Sequence, residues 1–122
     1  MILVDTSVWI DHLRKHDAQL AGALEAGTVL THPFVIGELA LGNLRQRRVV
    51  LDALSDLPRA TVANDAEALT LIEGQRLFGL GIGYIDAHLL AATRLTSGAA
   101  LWTRDRKLRA VAERLDIAAA KD

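Results

Sequence analysis

Apolar residues along the chain fall into short continuous runs that alternate with stretches of helical spacing, and this alternation predicts an α/β protein. The first run, Ile2-Leu3-Val4, passes directly into Asp5, Thr6 and Ser7. It reads as a buried strand entering a helix whose start can be capped by carboxyl and hydroxyl groups. Val8, Trp9 and Ile10 continue in a helical pattern to Leu13, and Arg14, Lys15 and His16 place positive charge at its end. Asp17 caps a second helix bearing Leu20, Ala21 and Leu24, stopped by Gly27. Residues 28–31 are short and β-branched, and read as strand two.

Pro33 suits a first helical position, and a helix is expected from there to residue 44. Residues 45–57 follow as an amphipathic helix with Val49, Val50, Ala53, Leu54 and Leu57 inward, closed by Pro58. Residues 60–62 form a weak third strand. Asn64-Asp65-Ala66-Glu67 is a variant capping box opening a helix through Leu77. Gly79, Gly81 and Gly83 turn the chain before a helix from Tyr84 onward that is apolar nearly all round, hence central and buried. Gly98 ends it, residues 99–102 supply another strand, and Leu108, Val111 and Leu115 mark a last amphipathic helix. Residues 117–119 complete the pattern as an edge strand. Strands alternating with helices imply a parallel sheet with right-handed crossovers and helices on both faces.

Composition narrows this picture. The chain has 122 residues, 51% of them hydrophobic but only 4% aromatic, so one domain over residues 1–122 is expected, with an aliphatic core. Cysteine is absent, which excludes disulfides and thiolate metal sites and fits a reducing compartment, with the cytoplasm as the default. Neither a targeting segment nor a bilayer-spanning run is visible, so no membrane role is expected. A net charge of −1 argues against a broadly basic nucleic-acid binder. Yet Arg45, Arg47 and Arg48 form one basic cluster, and Arg104, Arg106, Lys107 and Arg109 another. Arginine binds phosphate bidentately, so the clusters suit a polyanion, although a solvated helix face reads the same way.

Four carboxylates carry the candidate chemistry. Asp5 and Asp105 each follow an apolar strand, at the edge where open α/β sheets place their ligand crevice. Glu38 is the one charge between Pro33 and Leu44 and shares a helix face with Phe34, Val35, Leu41 and Gly42, so it is either desolvated or paired with a cation. Asp86 lies in the first turn of the apolar helix. Each has an ordinary structural reading as well: a turn acceptor for Asp5, a dipole partner for Asp86, an N-cap for Asp105. His88 has no second His at metal-binding spacing and reads as a packed histidine. If the four acids converge, they cannot all be ionised without a cation, and an all-oxygen set selects Mg²⁺ or Mn²⁺. Such a site suits phosphodiester cleavage, with the arginines holding the backbone.

Asp5-Thr6-Ser7 after the first strand, Glu38 within Pro33-Phe34-Val35-Ile36-Gly37-Glu38-Leu39, Tyr84-Ile85-Asp86-Ala87 and Thr103-Arg104-Asp105 together resemble a PIN-domain ribonuclease. More narrowly, they are similar to the VapC toxins of bacterial toxin–antitoxin pairs. The resemblance spans the whole chain. It implies a PIN-like three-layer α/β/α fold with a central parallel sheet of four to five strands. It also implies a Mg²⁺- or Mn²⁺-dependent endoribonuclease cutting structured RNA such as tRNA or rRNA. Asp5, Asp86 and Asp105 would then be metal ligands, and Glu38 a further ligand or the group that orients the attacking water. Thr6, Ser7 and Thr103 would steady those carboxylates, and Arg45, Arg47, Arg48, Arg104 and Arg106 would contact RNA. The expected partners are a neutralising VapB-type antitoxin, a second copy of the chain in a homodimer, and promoter DNA reached only through the antitoxin complex.

Alternatives are a catalytically silent PIN-fold binding protein and a receiver-like signalling domain. A receiver would need paired acids after strand one, where Thr6 and Ser7 stand, and a strand-ending Asp near residue 50. A haloacid-dehalogenase-type phosphatase would need Asp-x-Asp, and this chain has Asp5-Thr6-Ser7.

Overall fold

The computed structural model describes residues 1–122 and contains a three-stranded parallel sheet with seven helices. β1 (Ile2–Val4) leads into α1 (Thr6–Arg14) and α2 (Ala18–Glu25), and then β2 (Val29–Leu30). α3 (Pro33–Ala40), α4 (Arg47–Ser55), α5 (Asp65–Gln75) and α6 (Tyr84–Leu95) precede β3 (Ala100–Trp102) and α7 (Arg106–Arg114). The strand order is β2-β1-β3, with Leu3 opposite Leu30 on one side and Val4 opposite Trp102 on the other. Consecutive strand residues point to opposite faces, and Leu3, Val4, Val29, Leu30, Leu101 and Trp102 are all buried. Both faces of the sheet are therefore covered, as parallel sheets require.

The expected sheet of four to five strands is corrected to three. Residues 60–62 do not form a strand: β2 is met there only by a bridge between Thr31 and Arg59. Thr31 exchanges backbone hydrogen bonds with Pro58 and Ala60, and the N–H of Thr61 then turns away to the Thr96 hydroxyl at the end of α6, 2.8 Å distant. Residues 117–119 likewise touch β3 through one bridge, Leu101 to Ala118. Both segments flank the sheet without extending it.

Helix boundaries follow local chemistry. Asp17 caps α2, Asn64 and Glu67 close a reciprocal box at α5, and Gly27 adopts a φ of +71° after α2. α3 stops at Ala40, short of the expected residue 44, so Leu41 is 90% exposed in the turn beyond it. The next helix begins at Arg47 because Gln46 takes a left-handed φ of +50°, which breaks helical continuity at residue 46. On α4, Leu51 and Leu54 face the core, whereas Val49 and Ala53 do not. α6 is buried continuously from Ala87 to Thr93, as a helix packed against both the sheet and α5 must be. No helix is long and apolar enough to cross a membrane.

Candidate active site

The chain leaves β1 for β2 on one side and later returns to β3 on the other, so the strand order reverses at β1. Ligand crevices in such sheets lie at that reversal, beyond the carboxyl ends of the strands. Asp5 and the segment Thr103-Arg104-Asp105 occupy that place, and the Asp5 N–H bonds the Trp102 carbonyl at 2.9 Å.

Asp5 is 6% exposed and caps α1. Its Oδ2 accepts from the Ser7 hydroxyl at 2.7 Å, the Thr103 hydroxyl at 2.8 Å and, more weakly, the Ser7 N–H at 3.4 Å. Ser7 in turn accepts the Arg104 N–H, and Thr103 accepts the Asp105 N–H. Thr6 serves a different acid: its hydroxyl donates to Glu38 Oε1 at 2.6 Å, bridging α1 to α3. Asp86 Oδ2 accepts the Gly83 N–H at 2.9 Å, and Asp105 Oδ1 accepts the Lys107 and Leu108 N–H groups, each at 3.0 Å.

A common pattern emerges from these bonds. In each of the four carboxylates, one oxygen takes the protein's donors and the other takes none. Burial pushes the Asp86 carboxyl above the usual carboxylate range; the Gly83 N–H opposes this, and the charges of Asp5, Asp105 and Glu38 raise it further. Asp86 thus feels the other three acids together. No three of the side chains are gathered at chelating distance. Four carboxylates with free oxygens fit a hard divalent ion, and no cysteine or paired histidine offers a softer set.

The arginines divide. Arg45 and Glu38 line one cavity of about 590 Å³ between α1 and the end of α3, which Arg14 also lines. Arg47 donates to the Gly42 carbonyl, and Arg48 pairs with Asp52 at 3.5 Å on the solvent face of α4. Arg106 is exposed beside Asp105. Arg104 requires a correction: its guanidinium bonds Asp11 Oδ2 at 2.9 Å and Asp17 Oδ2 at 2.6 Å, and its Nε bonds the Asp122 carbonyl. Two carboxylates already neutralise it, so it is a clamp between α1, α2 and the end of β3, not a free phosphate ligand. The hydrogen bond from Leu20 and then that from Arg104 hold Asp17 below the usual carboxylate range.

His88 is buried and bonds the exposed Asp65 through Nε2 at 3.1 Å, sharing that carboxylate with the Tyr84 hydroxyl. It stays apart from the acids, as expected of a packed histidine. The Arg104 clamp had no signal in the sequence, and although Thr6 was expected to steady a carboxylate, its choice of Glu38 was not legible, because each contact joins residues distant in the chain.

The PIN domain family model matches residues 2–114. Ribonuclease VapC32 of Mycobacterium tuberculosis, from strains CDC 1551 / Oshkosh and ATCC 25618 / H37Rv, is 48% identical over 122 residues, covering 100% of this chain and 98% of the relative. With the strand-end acids, the parallel sheet and this end-to-end similarity together, the chain belongs to the PIN-domain family of VapC-type ribonucleases.

Proposed function

We propose that the chain acts as one PIN domain over residues 1–122: a cytoplasmic, Mg²⁺- or Mn²⁺-dependent endoribonuclease toxin that cleaves structured RNA such as tRNA or rRNA. The observation that carries this reading is the set of four acids, each with one oxygen held by the protein and one left free, with Asp86 burdened by the charge of the other three. Asp5, Asp86 and Asp105 would hold the ion, and Glu38 would complete the set or orient water. The chemistry a divalent cation would supply there is polarisation of a phosphoryl oxygen and a more acidic water. Ser7 and Thr103 fix the Asp5 carboxylate, while Thr6 fixes Glu38 so that its free oxygen can accept a proton from the attacking water. Water oxygen then bonds phosphorus while the P–O ester bond breaks, and the leaving ribose oxygen takes a proton from solvent. Arg45, beside Glu38, neutralises a neighbouring phosphate, with Arg47, Arg48 and Arg106 as further contacts.

The relative's name supports pairing with a VapB-type antitoxin; in this reading the antitoxin covers the acids, and the toxin acts as a homodimer that reaches promoter DNA only within the antitoxin complex. Purified protein incubated with total cellular RNA tests the catalytic reading. New 5′ ends are expected with Mg²⁺, none with chelator, and none from Asp5→Asn. A folded Asp5→Asn protein that cuts at the same sites, or cutting that survives chelation, overturns it.

A further inference from the structure

α7 begins at the acidic edge and carries an unpaired row of cations away from it. Arg106, Lys107 and Arg114, with Leu80, Ala110 and Val111, line an open cavity of about 350 Å³. None of the three cations has a carboxylate within salt-bridge distance, whereas Arg104 just before α7 and Arg109 within it do. Glu113, the acid within α7, is taken by Arg109 at 3.3 Å, which leaves the cavity wall positive. The Arg114 guanidinium is held by the Gln75 carbonyl at the end of α5, so its charge is positioned without being neutralised. Lys107 is positioned as well. It lies across Gly81, where a Cβ would stand 2.8 Å from its Cδ, and Gly81 has a φ of +80° that itself favours glycine. The first lining residue, Arg106, directly follows Asp105, the cap of α7, and Arg106 and Arg114 are just over two turns apart, about 12 Å along the axis. That is long enough to meet more than one phosphate of a strand.

We propose that this groove binds the phosphodiester backbone of single-stranded RNA flanking the cleaved bond, with Lys107 and Arg114 as positioning residues that lead the strand onto the acidic edge. The proposal rests on the ribonuclease reading for its substrate. Fixed, unneutralised cations in an open groove match a polyanion, and continuity with Asp105 selects the strand being cut. Sequence clustering pointed to Arg104, Arg106, Lys107 and Arg109 as one basic patch; the fold removes Arg104 and Arg109 into ion pairs and brings in Arg114.

The test uses the full chain in chelator, so that binding is read without cleavage, and a fluorescent unstructured RNA oligonucleotide titrated between about 50 and 200 mM salt. Lys107→Gln and Arg114→Gln are each expected to weaken binding several-fold and to flatten the slope of log affinity against log salt by about 0.7. Arg114→Lys is expected to restore the slope, which a purely structural role for Arg114 would not require. Arg94→Gln, at the far end of α6, is expected to match the wild type. Unchanged slopes for Lys107→Gln and Arg114→Gln, or an equal loss in Arg94→Gln, overturn the proposal. Replacing the chelator by Mg²⁺ and the oligonucleotide by total cellular RNA separates the two readings. Normal binding with no cleavage by the wild type sinks the ribonuclease reading alone, and normal cleavage with an unchanged KM in both groove variants sinks the groove alone.

Discussion

Asp5 divides its two oxygens between the protein and the crevice, and the hydroxyls that hold Oδ2 determine where Oδ1 is presented. Thr103 is 3% exposed and makes two such links, donating to Asp5 and accepting the Asp105 N–H, so one hydroxyl couples two of the acids. Removing it leaves a buried carboxylate oxygen with one donor fewer and frees Asp105 to reorient. Partners of this kind typically contribute about 10- to 100-fold to metal affinity or activity. Thr103→Val is therefore expected to lower the cleavage rate by about that range while its melting profile stays cooperative, and Thr103→Ser to recover most of it. Wild-type rates in Thr103→Val would show that Ser7 alone orients Asp5. Thr6→Val is expected to act on Glu38 instead, with cleavage slowed and the binding of Mg²⁺, read by calorimetry, less affected.

At the scale of elements, α3 carries Glu38 and depends on an unusual cap. His32 is fully buried, and its Nδ1 accepts the Phe34 N–H at 3.0 Å, opening the helix ahead of Pro33. Burial, with smaller contributions from His88 and Arg59, lowers its pKa from 6.5 to about 4. Between those values the unfolded chain binds a proton that the folded chain refuses, so stability falls as pH drops from about 6.5 toward 4 and the loss is complete below that. Urea midpoints at pH 7 and pH 5 check this: the wild type is expected to lose stability, and His32→Asn, whose amide oxygen can still cap Phe34, to lose less. An equal drop in both would assign the pH dependence to other groups. Pro33 at the first helical position was legible in the sequence, but the role of His32 was not, since histidine is not among the residues that ordinarily cap a helix. The same limit hid the early end of α3 and the late start of α4, which turn on one left-handed residue, Gln46.

For the molecule as a whole, β1 is the strand that both neighbours use, and the acids are only as well placed as it is. Leu3 has no exposed surface and is paired on both sides, with Leu30 and Leu101. Leu3→Ala is expected to cost about 2–5 kcal/mol, a large share of what holds a domain of this size, measured as a shift of the denaturation midpoint. A loss under about 1 kcal/mol would mean that the core closes over the gap.

The chain's local chemistry determined a good deal by itself: the alternation of strands and helices, the caps at Asp5, Asp17 and Asn64, and the four acids at strand ends or on apolar helix faces. These features depend on neighbours a few residues away, and periodicity records them directly. Which acid meets which hydroxyl, and which arginine is left free, was decided only by tertiary structure. Thr6 reaches Glu38 across 32 positions and Thr103 reaches Asp5 across 98, while Arg104 is neutralised by Asp11 and Asp17 across 93 and 87. Such pairings follow from the order β2-β1-β3, which sets β1 between two strands far apart in sequence. Charge and hydrogen bonding act over a few Å of space, and only the folded chain says which residues share it.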